Sequence, residues 1–315
     1  MGCHECDYPL LEYNCICRQG IRHITHVTNI GLDHMGFLGN TIDEIAVVKA
    51  GIFKKSRPAL IGVDTPQDLL QREAENRGTV AFRIQDIIAQ NNALFATLLN
   101  LYTQQEYFTP VDYDFANAQL ATAAVILLHQ HHHWEAPSEP LLSHLLLRPP
   151  CRWEVRIPAA RPDVRVVMDV AHNAPAIAAL LQRAAACFPS QTASVVYGAS
   201  RDKDIRQCIG HIGRFIQLPD SIFFIQVRGV FIVCNAPQSS NYRSVPPSTL
   251  ASTYHELFGQ NVPEANYVCE STSNRISTIV DRAVAASPSN GVVLIFGSMY
   301  LMPAVRAALG IHEPW

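Results

Sequence analysis

An excess of charge of one sign is the first thing missing from this chain. Lys and Arg number 24 and Asp and Glu 27, a net charge of -3. Proteins that hold nucleic acid non-specifically carry a basic excess, so no nucleic-acid partner is expected. Charged residues make up only 16% and apolar ones 48%, too apolar a balance for a disordered protein. Long hydrophobic runs are missing too. The most apolar stretch, Leu120 to Leu128, is about half the ~18 residues a membrane helix needs, and it reads as a buried helix. No membrane partner is expected. The opening residues MGCHECDYPLLEYN lack a basic region followed by an apolar one, and they are not Arg-rich. Neither a secretory signal nor a transit peptide is expected there.

A disulfide framework is also lacking. The nine Cys are an odd number scattered along a long chain, so reduced thiols of an intracellular compartment are expected. Four of them fall in the first twenty residues. Cys3-x-x-Cys6 and Cys15-x-Cys17, with His4 and His23, offer the residue types of a zinc site. The second spacing does not fit one, and no second C-x-x-C follows. The segment reads as a poorly ordered leader, or as residues that do not belong to the fold at all.

At ~150 residues per domain, 315 residues make two domains. The first half reads as strand Ile24–Ile30, loop Gly31–Gly39, and a helix opened by the capping box Thr41-x-x-Glu44. Strand Ala59–Val63 follows, then a helix with Thr65 as N-cap and Pro66 at its first position, then strand Thr79–Arg83. Residues 84–113 show no clear period, and Asp114–His131 is a strong helix. His131-His132-His133 reads as a solvated helix end. The Pro-punctuated stretch Trp134–Pro150 is the expected domain boundary. Beyond it short apolar strands alternate with amphipathic helices. The strands are Arg165–Val170, Ala193–Gly198, Ser221–Val227, Ala265–Cys269 and Gly291–Phe296. The helices are Ala174–Phe188, Asp204–Gln217, Pro247–Phe258, Asn274–Ala286 and Met302–Leu309. That alternation predicts an α/β fold with a doubly wound, mostly parallel sheet. Such sheets bind ligands at the carboxyl ends of their strands.

The residues just after each strand are therefore the candidates. Met168-Asp169-Val170-Ala171-His172-Asn173 ends one strand and opens a helix. An Asp there can accept ribose hydroxyls, and a His can stack on a base or meet a phosphate; Asn173 is expected to act only as the N-cap. Gly31-Leu32-Asp33-His34 follows another strand, and Lys49 lies in the next helix. That helix otherwise reads as buried. Its Lys is then either modified, for example carbamylated to an anionic metal ligand, or snorkels its ammonium to water. Residues alone favour snorkelling. Gly198 to Asp204 and Gly297 to Tyr300 follow two further strands.

The blocks HVTNIGLDHMGFLGNTIDEIAVVKAGIFK, DYDFANAQLATAAV, CRWE, MDVAHNAPA, YGASRDKDI and IFGSMYLMPAVR occur in this order. Together they resemble folylpolyglutamate synthase, in the folate branch of the Mur ligase superfamily, from about Ile24 to the C-terminus. The resemblance implies an ATP-dependent ligase. Such enzymes phosphorylate the γ-carboxylate of a tetrahydrofolate or folylpolyglutamate, and L-glutamate attacks the acyl phosphate. It implies ATP and Mg2+, with a monovalent cation in some members, and a monomer. By the resemblance His34 matches a magnesium ligand, and Lys49 a lysine carbamylated to support a second magnesium, which reverses the snorkelling reading. Asn117 matches an asparagine near the adenine, Arg152 a hinge arginine that contacts the nucleotide, and Asp169 and His172 an ATP-binding pair. Lys203, Ser298 and Tyr300 match positions without an assigned role.

The departures are equally specific. The family's phosphate-binding loop contains Gly-Lys, and no Gly-Lys dipeptide occurs in these 315 residues. An acidic segment with a further magnesium-ligand Glu is replaced by CDYPLLEYNCICRQG, and Cys151 stands where the hinge has Gly. The expected organisation is residues 1–23 as an unmatched leader, 24–150 as the remainder of the ATP-binding central domain, and 151–315 as a Rossmann-like C-terminal domain. An incomplete chain of a cytoplasmic or mitochondrial synthase is the expected reading. Without the loop it is expected to turn over little ATP. An inactive nucleotide-binding or interaction protein of this family and a bifunctional dihydrofolate synthase are the alternatives. The strand at Ile24–Ile30 is expected at a sheet edge, and residues 151–315 are expected to fold as a stable unit while residues 1–150 do not.

Overall fold

A computed structural model describes residues 23–31, 38–109, 113–216, 218–225, 232–233, 236–237, 244–267 and 275–313. The Cys-rich opening segment and His34 lie outside the described residues. The chain divides into two compact units, Met1–Leu147 and Arg148–Trp315.

In the first unit β1 (Thr25–Val27), β2 (Ala59–Ile61) and β3 (Ala81–Arg83) form a parallel sheet in the order β1-β2-β3. Parallel neighbours need a crossover, and the helices supply it. The first is α1 (Ile42–Lys49), whose capping box is complete: Thr41 Oγ1 accepts from the Glu44 N–H, and the Glu44 carboxylate accepts from the Thr41 N–H. The second, α2 (Gln67–Asn76), differs at its start from the sequence expectation. Pro66 itself is the N-cap, and the Thr65 hydroxyl donates instead to the Gly62 carbonyl. Strand alternation then sends side chains to two cores. Val27, Ala59 and Ile61 pack with Ala46 of α1 and Leu70 and Ala74 of α2. Leu60 points the other way, into a core built by the remaining helices. These are α3 (Ile84–Gln90), α4 (Asn92–Thr103), α5 (Tyr113–His132) and α6 (Glu139–Leu145).

Two helices thus occupy the stretch that lacked a period, and a third lies inside the expected boundary. Their apolar positions are used by packing too short to repeat: Ile84 and Ile87, then Phe95, Leu98 and Tyr102, then Leu142. Gly62 is required where β2 ends. It donates its N–H to the Val27 carbonyl, and a Cβ there would lie 1.9 Å from the Thr28 carbonyl oxygen. Among the described residues β1 pairs with β2 alone, which leaves it at a sheet edge.

The second unit is built on five strands. They are β4 (Glu154–Arg156), β5 (Arg165–Met168), β6 (Ala193–Tyr197), β7 (Ile222–Phe224) and, after a short ladder of β8 (Ile232–Val233) with β9 (Ala236–Pro237), β10 (Val292–Phe296). Their order is β4-β5-β10-β6-β7, all parallel except β4. β5, β6 and β10 are almost wholly buried, as strands covered on both faces must be. Helices α7 (Ala174–Cys187), α8 (Ile205–Phe215) and α9 (Pro247–Phe258) pack in a row. Val166, Met168, Val196, Val293 and Ile295 face α10 (Arg275–Ala286) and α11 (Met302–Ala308) through Ile279, Val280, Ala283, Met302 and Val305.

The antiparallel edge strand β4 was not expected. Neither was the fate of residues 264–267. The expected strand Ala265–Cys269 begins as a 3-10 turn, Glu264–Asn266, followed by Tyr267 in a turn, and residues 268–269 lie outside the described residues. Asn266 explains the turn. Its side-chain amide donates to the carbonyls of Asp220 and Ile222 at 3.0 and 3.1 Å, taking up acceptors a further strand would use.

Candidate functional site

Parallel register brings three strand ends of the second unit to one level: Met168 beside Ile295, and Phe296 beside Tyr197. The loops that follow β5, β10 and β6 therefore start side by side. Their closeness is forced at Gly297, where φ is +119° and a Cβ would sit 2.1 Å from the Gly198 carbonyl oxygen. This edge carries Asp169, His172, Lys203, Ser298 and Tyr300. The amino end of α7 starts here as well, with the Asn173 side chain accepting from the Ala176 N–H as its cap, as the sequence suggests. A helix amino terminus favours anions.

Asp169 is buried, and its carboxylate faces the protein backbone. Oδ1 accepts from the Ala171 N–H at 2.8 Å and Oδ2 from the Trp153 N–H at 2.9 Å. Its shown work is to tie the segment at residues 151–153 to the end of β5; the Val170 N–H makes a second tie, to the Cys151 carbonyl. His172 is half-buried, and its Nδ1 lies 2.8 Å from the Val170 carbonyl. A carbonyl only accepts, so Nδ1 carries the proton and Nε2 of the neutral ring is an acceptor. The Lys203 side chain is largely buried, with its ammonium 3.3 Å from Asp202. The buried Ser298 hydroxyl accepts from the Tyr300 N–H.

Arg152 is exposed, but the residues around it are not. Cys151 and Trp153 are both buried and both have positive φ, +59° and +50°. Only Gly takes that conformation without cost, so Cys151 and Trp153 must be held in it. Cys151 is held there by its N–H, which donates to Glu154 Oε2 at 2.8 Å. Glu154 in turn is paired with Arg306 of α11 and Arg156 of β4. The Trp153 ring lies under Arg183, 4.3 Å from the guanidinium carbon, and is stacked with Phe188. Glu154, Trp153 and Arg306 escaped the sequence reading. Glu154 and Arg306 are 152 residues apart, and only the fold pairs them.

Burial pushes the Glu154 carboxyl up, but the Cys151 N–H, Arg156 and Arg306 outweigh it and hold it below the ordinary carboxylate range. Burial, with Glu154 beside it, pushes the Cys151 thiol up to about 12. At pH 8 only about one Cys151 in ten thousand is then a thiolate, the reactive form. Cys151 is expected to resist iodoacetamide in the folded protein and to label on denaturation. Peptide mapping of both samples checks this, and rapid labelling of the native Cys151 peptide refutes it.

In the first unit Lys49 ends α1. The helix is less buried than its sequence suggests: Ile45 and Ala46 are covered, Ile42 and Val47 are exposed, and Lys49 is half-buried. Asn117 is exposed on α5. Among the described residues no three His, Cys, Asp or Glu side chains gather in a way that would hold a metal ion. The described residues do not by themselves form a metal centre. The second unit's edge suits a polyanion better: an exposed Arg152, a helix amino terminus, and an Asp169 whose charge is turned onto backbone N–H groups.

Comparison with known proteins agrees with this architecture. Residues 152–299 match the model of the Mur ligase glutamate ligase domain. The dihydrofolate synthase/folylpolyglutamate synthase of Bacillus subtilis is 26% identical over 297 residues, covering 91% of this chain and 62% of the relative. A probable folylpolyglutamate synthase of Schizosaccharomyces pombe is 48% identical over 59 residues, 18% of this chain and 12% of its own. Among solved structures, Mycobacterium tuberculosis folylpolyglutamate synthase with ADP aligns with a TM-score of 0.64 at 21% identity, over 93% of this chain and 64% of that one. E. coli FolC with DHPP and ADP gives 0.63 at 19%, over 91% and 61%. The chain thus spans a little under two thirds of the length of the Bacillus subtilis relative and of the two solved structures. Over most of its length it is similar to folylpolyglutamate and dihydrofolate synthases, and residues 152–299 of its second unit match the Mur ligase glutamate ligase domain.

Proposed function

We propose that the chain serves an ATP-dependent ligase that adds L-glutamate to the γ-carboxylate of a tetrahydrofolate or folylpolyglutamate. The observation that supports this is the strand-end edge of the second unit, where Asp169 and His172 lead into α7 and Asp169 anchors the residue next to Arg152, on the fold of these synthases. In this reading residues 24–150 are the remainder of an ATP-binding domain and residues 151–315 the Rossmann-like partner. Bound ATP would supply the phosphoryl group that activates the carboxylate. Arg152 would hold the nucleotide's phosphates, and His172 would lie beside it. Asp169 would keep the Arg152 segment in place beside the nucleotide. Solved relatives hold Mn with AMPPNP. Mg2+ is the proposed metal here, with Lys49 and His34 as the residues that would serve it and Asn117 near the adenine. The compartment proposed is the cytoplasm or mitochondrion, and the proposed state is a monomer.

ATP binding by the purified chain, measured by calorimetry, is the test of the nucleotide reading. Arg152→Ala is expected to weaken it about 10- to 100-fold, the value of one or two charge-assisted hydrogen bonds. The fold should be untouched because Arg152 is exposed. Glutamate incorporation tests the reaction. With no Gly-Lys dipeptide in the chain, trace turnover is expected from these residues alone. Turnover is expected once they are joined to the family's phosphate-binding segment. No nucleotide binding by the chain and no turnover by the joined protein would refute the reading. Relatives named for both activities make dihydropteroate the second acceptor to assay.

A further inference from the structure

We infer that Glu154 is a positioning residue that sets the direction of Arg152 without touching the nucleotide. The inference rests on the nucleotide reading of Arg152 given above.

Two buried carboxylates clasp the residues on either side of Arg152. Glu154 takes the Cys151 N–H at 2.8 Å, and Asp169 takes the Trp153 N–H at 2.9 Å. Each clasped residue stands in the left-handed region, at φ +59° and +50°. A non-glycine residue leaves that region unless its surroundings hold it. Release of either neighbour rotates the backbone on one side of Arg152 and changes the direction in which its side chain leaves the chain. The Glu154 side chain is only 10% exposed and is fixed from three directions: Arg306, itself 3% exposed, Arg156, and the Cys151 thiol at 3.6 Å. The same lock extends outward, since Arg306 also donates to the Glu313 carbonyl and Arg156 pairs with the Glu313 carboxylate. The chain beyond α11 is thereby joined to the hinge. Cys151 in place of Gly makes this lock necessary here, because Gly would hold the turn with no clasp at all.

The test compares wild type, Glu154→Gln, Arg152→Ala, their double variant and Cys151→Gly on Glu154→Gln, each as the 315-residue chain. Amide hydrogen exchange at Cys151 is the first readout and needs no ligand. Gln offers a neutral acceptor in place of a charge-assisted one, so the Cys151 amide is expected to exchange about tenfold faster. ATP affinity is the second readout. Glu154→Gln is expected to weaken it about tenfold in the wild-type background, within the range for coupled neighbours, and not at all in the Arg152→Ala background. Cys151→Gly placed on Glu154→Gln is expected to restore most of the lost affinity, which a merely structural defect would not allow. Far-UV circular dichroism confirms that each variant is folded. If Glu154→Gln itself fails to fold, Cys151→Gly supplies the background in which Glu154 is removed. Unchanged exchange at Cys151, an equal loss of affinity with and without Arg152, or no rescue by Gly each overturns the clasp. Failure of wild type to bind ATP overturns the nucleotide reading instead, and the exchange measurement then decides the clasp alone.

Discussion

Arg306→Met is expected to destabilise the second unit by about 3 kcal/mol, the low end of what breaking a buried pair costs. Met keeps the apolar stem of Arg and removes its charge, so lost packing contributes little. The loss falls on Glu154. Its carboxylate is nine-tenths buried and would retain Arg156, itself 39% exposed, and the Cys151 N–H. The low end is argued because those two partners remain. Urea unfolding of the full chain, followed by Trp fluorescence, measures the change. A loss under about 1 kcal/mol, typical of an exposed pair, would show that Arg306 and Glu154 are not coupled as described.

The pair also predicts a pH dependence. The folded Glu154 carboxyl lies below its usual value near 4.5. Its contribution is therefore complete above that value and is lost as pH falls through the folded pKa. In Arg306→Met one of the charge's partners is gone and burial acts against the charge. The stability gap between wild type and variant should thus be full at pH 6 and shrink below about pH 4.5. A gap that stays constant down to pH 3 would sink the electrostatic account and leave only packing.

Asp169→Ala is expected to cost about 2–4 kcal/mol even without nucleotide, because it strands two buried backbone donors at about 1–3 kcal/mol each. The Trp153 and Ala171 N–H groups both lose their acceptor. A residue that only contacted ATP would leave the unliganded protein unchanged. Thermal unfolding without ligand therefore separates the two roles. Asp169→Asn keeps one carbonyl oxygen and sets an NH2 group against the other donor, so it should fall between wild type and Ala. An Asp169→Ala protein as stable as wild type, yet defective in binding ATP, would restrict Asp169 to ligand contact.

The elements most easily read were those with a local physical cause. The capping box at Thr41 and Glu44 and the N-cap at Asn173 need only three or four neighbouring residues, and both form as written. Arg165–Met168, Ala193–Tyr197 and Val292–Phe296 are short apolar runs between amphipathic helices, so a parallel sheet follows from their spacing. Where the causes are distant, the sequence is mute. Asn266 looks like the start of a strand until its amide meets the carbonyls of Asp220 and Ile222. The helices at Ile84–Gln90 and Asn92–Thr103 are joined by Asn91 alone, too close for either period to stand out.

For the candidate site the division is similar. Sequence alone determined the fold class, the order of the motifs and the strand-end residues Asp169 and His172, because strand and turn chemistry are local. Only the tertiary structure decided what Asp169 does with its carboxylate, why Cys151 and Trp153 bear positive φ, and that Arg306 reaches back across the unit to Glu154. Those facts depend on which backbone donors and which buried charges meet in space, and a buried charge finds its partner by proximity in the fold rather than along the chain.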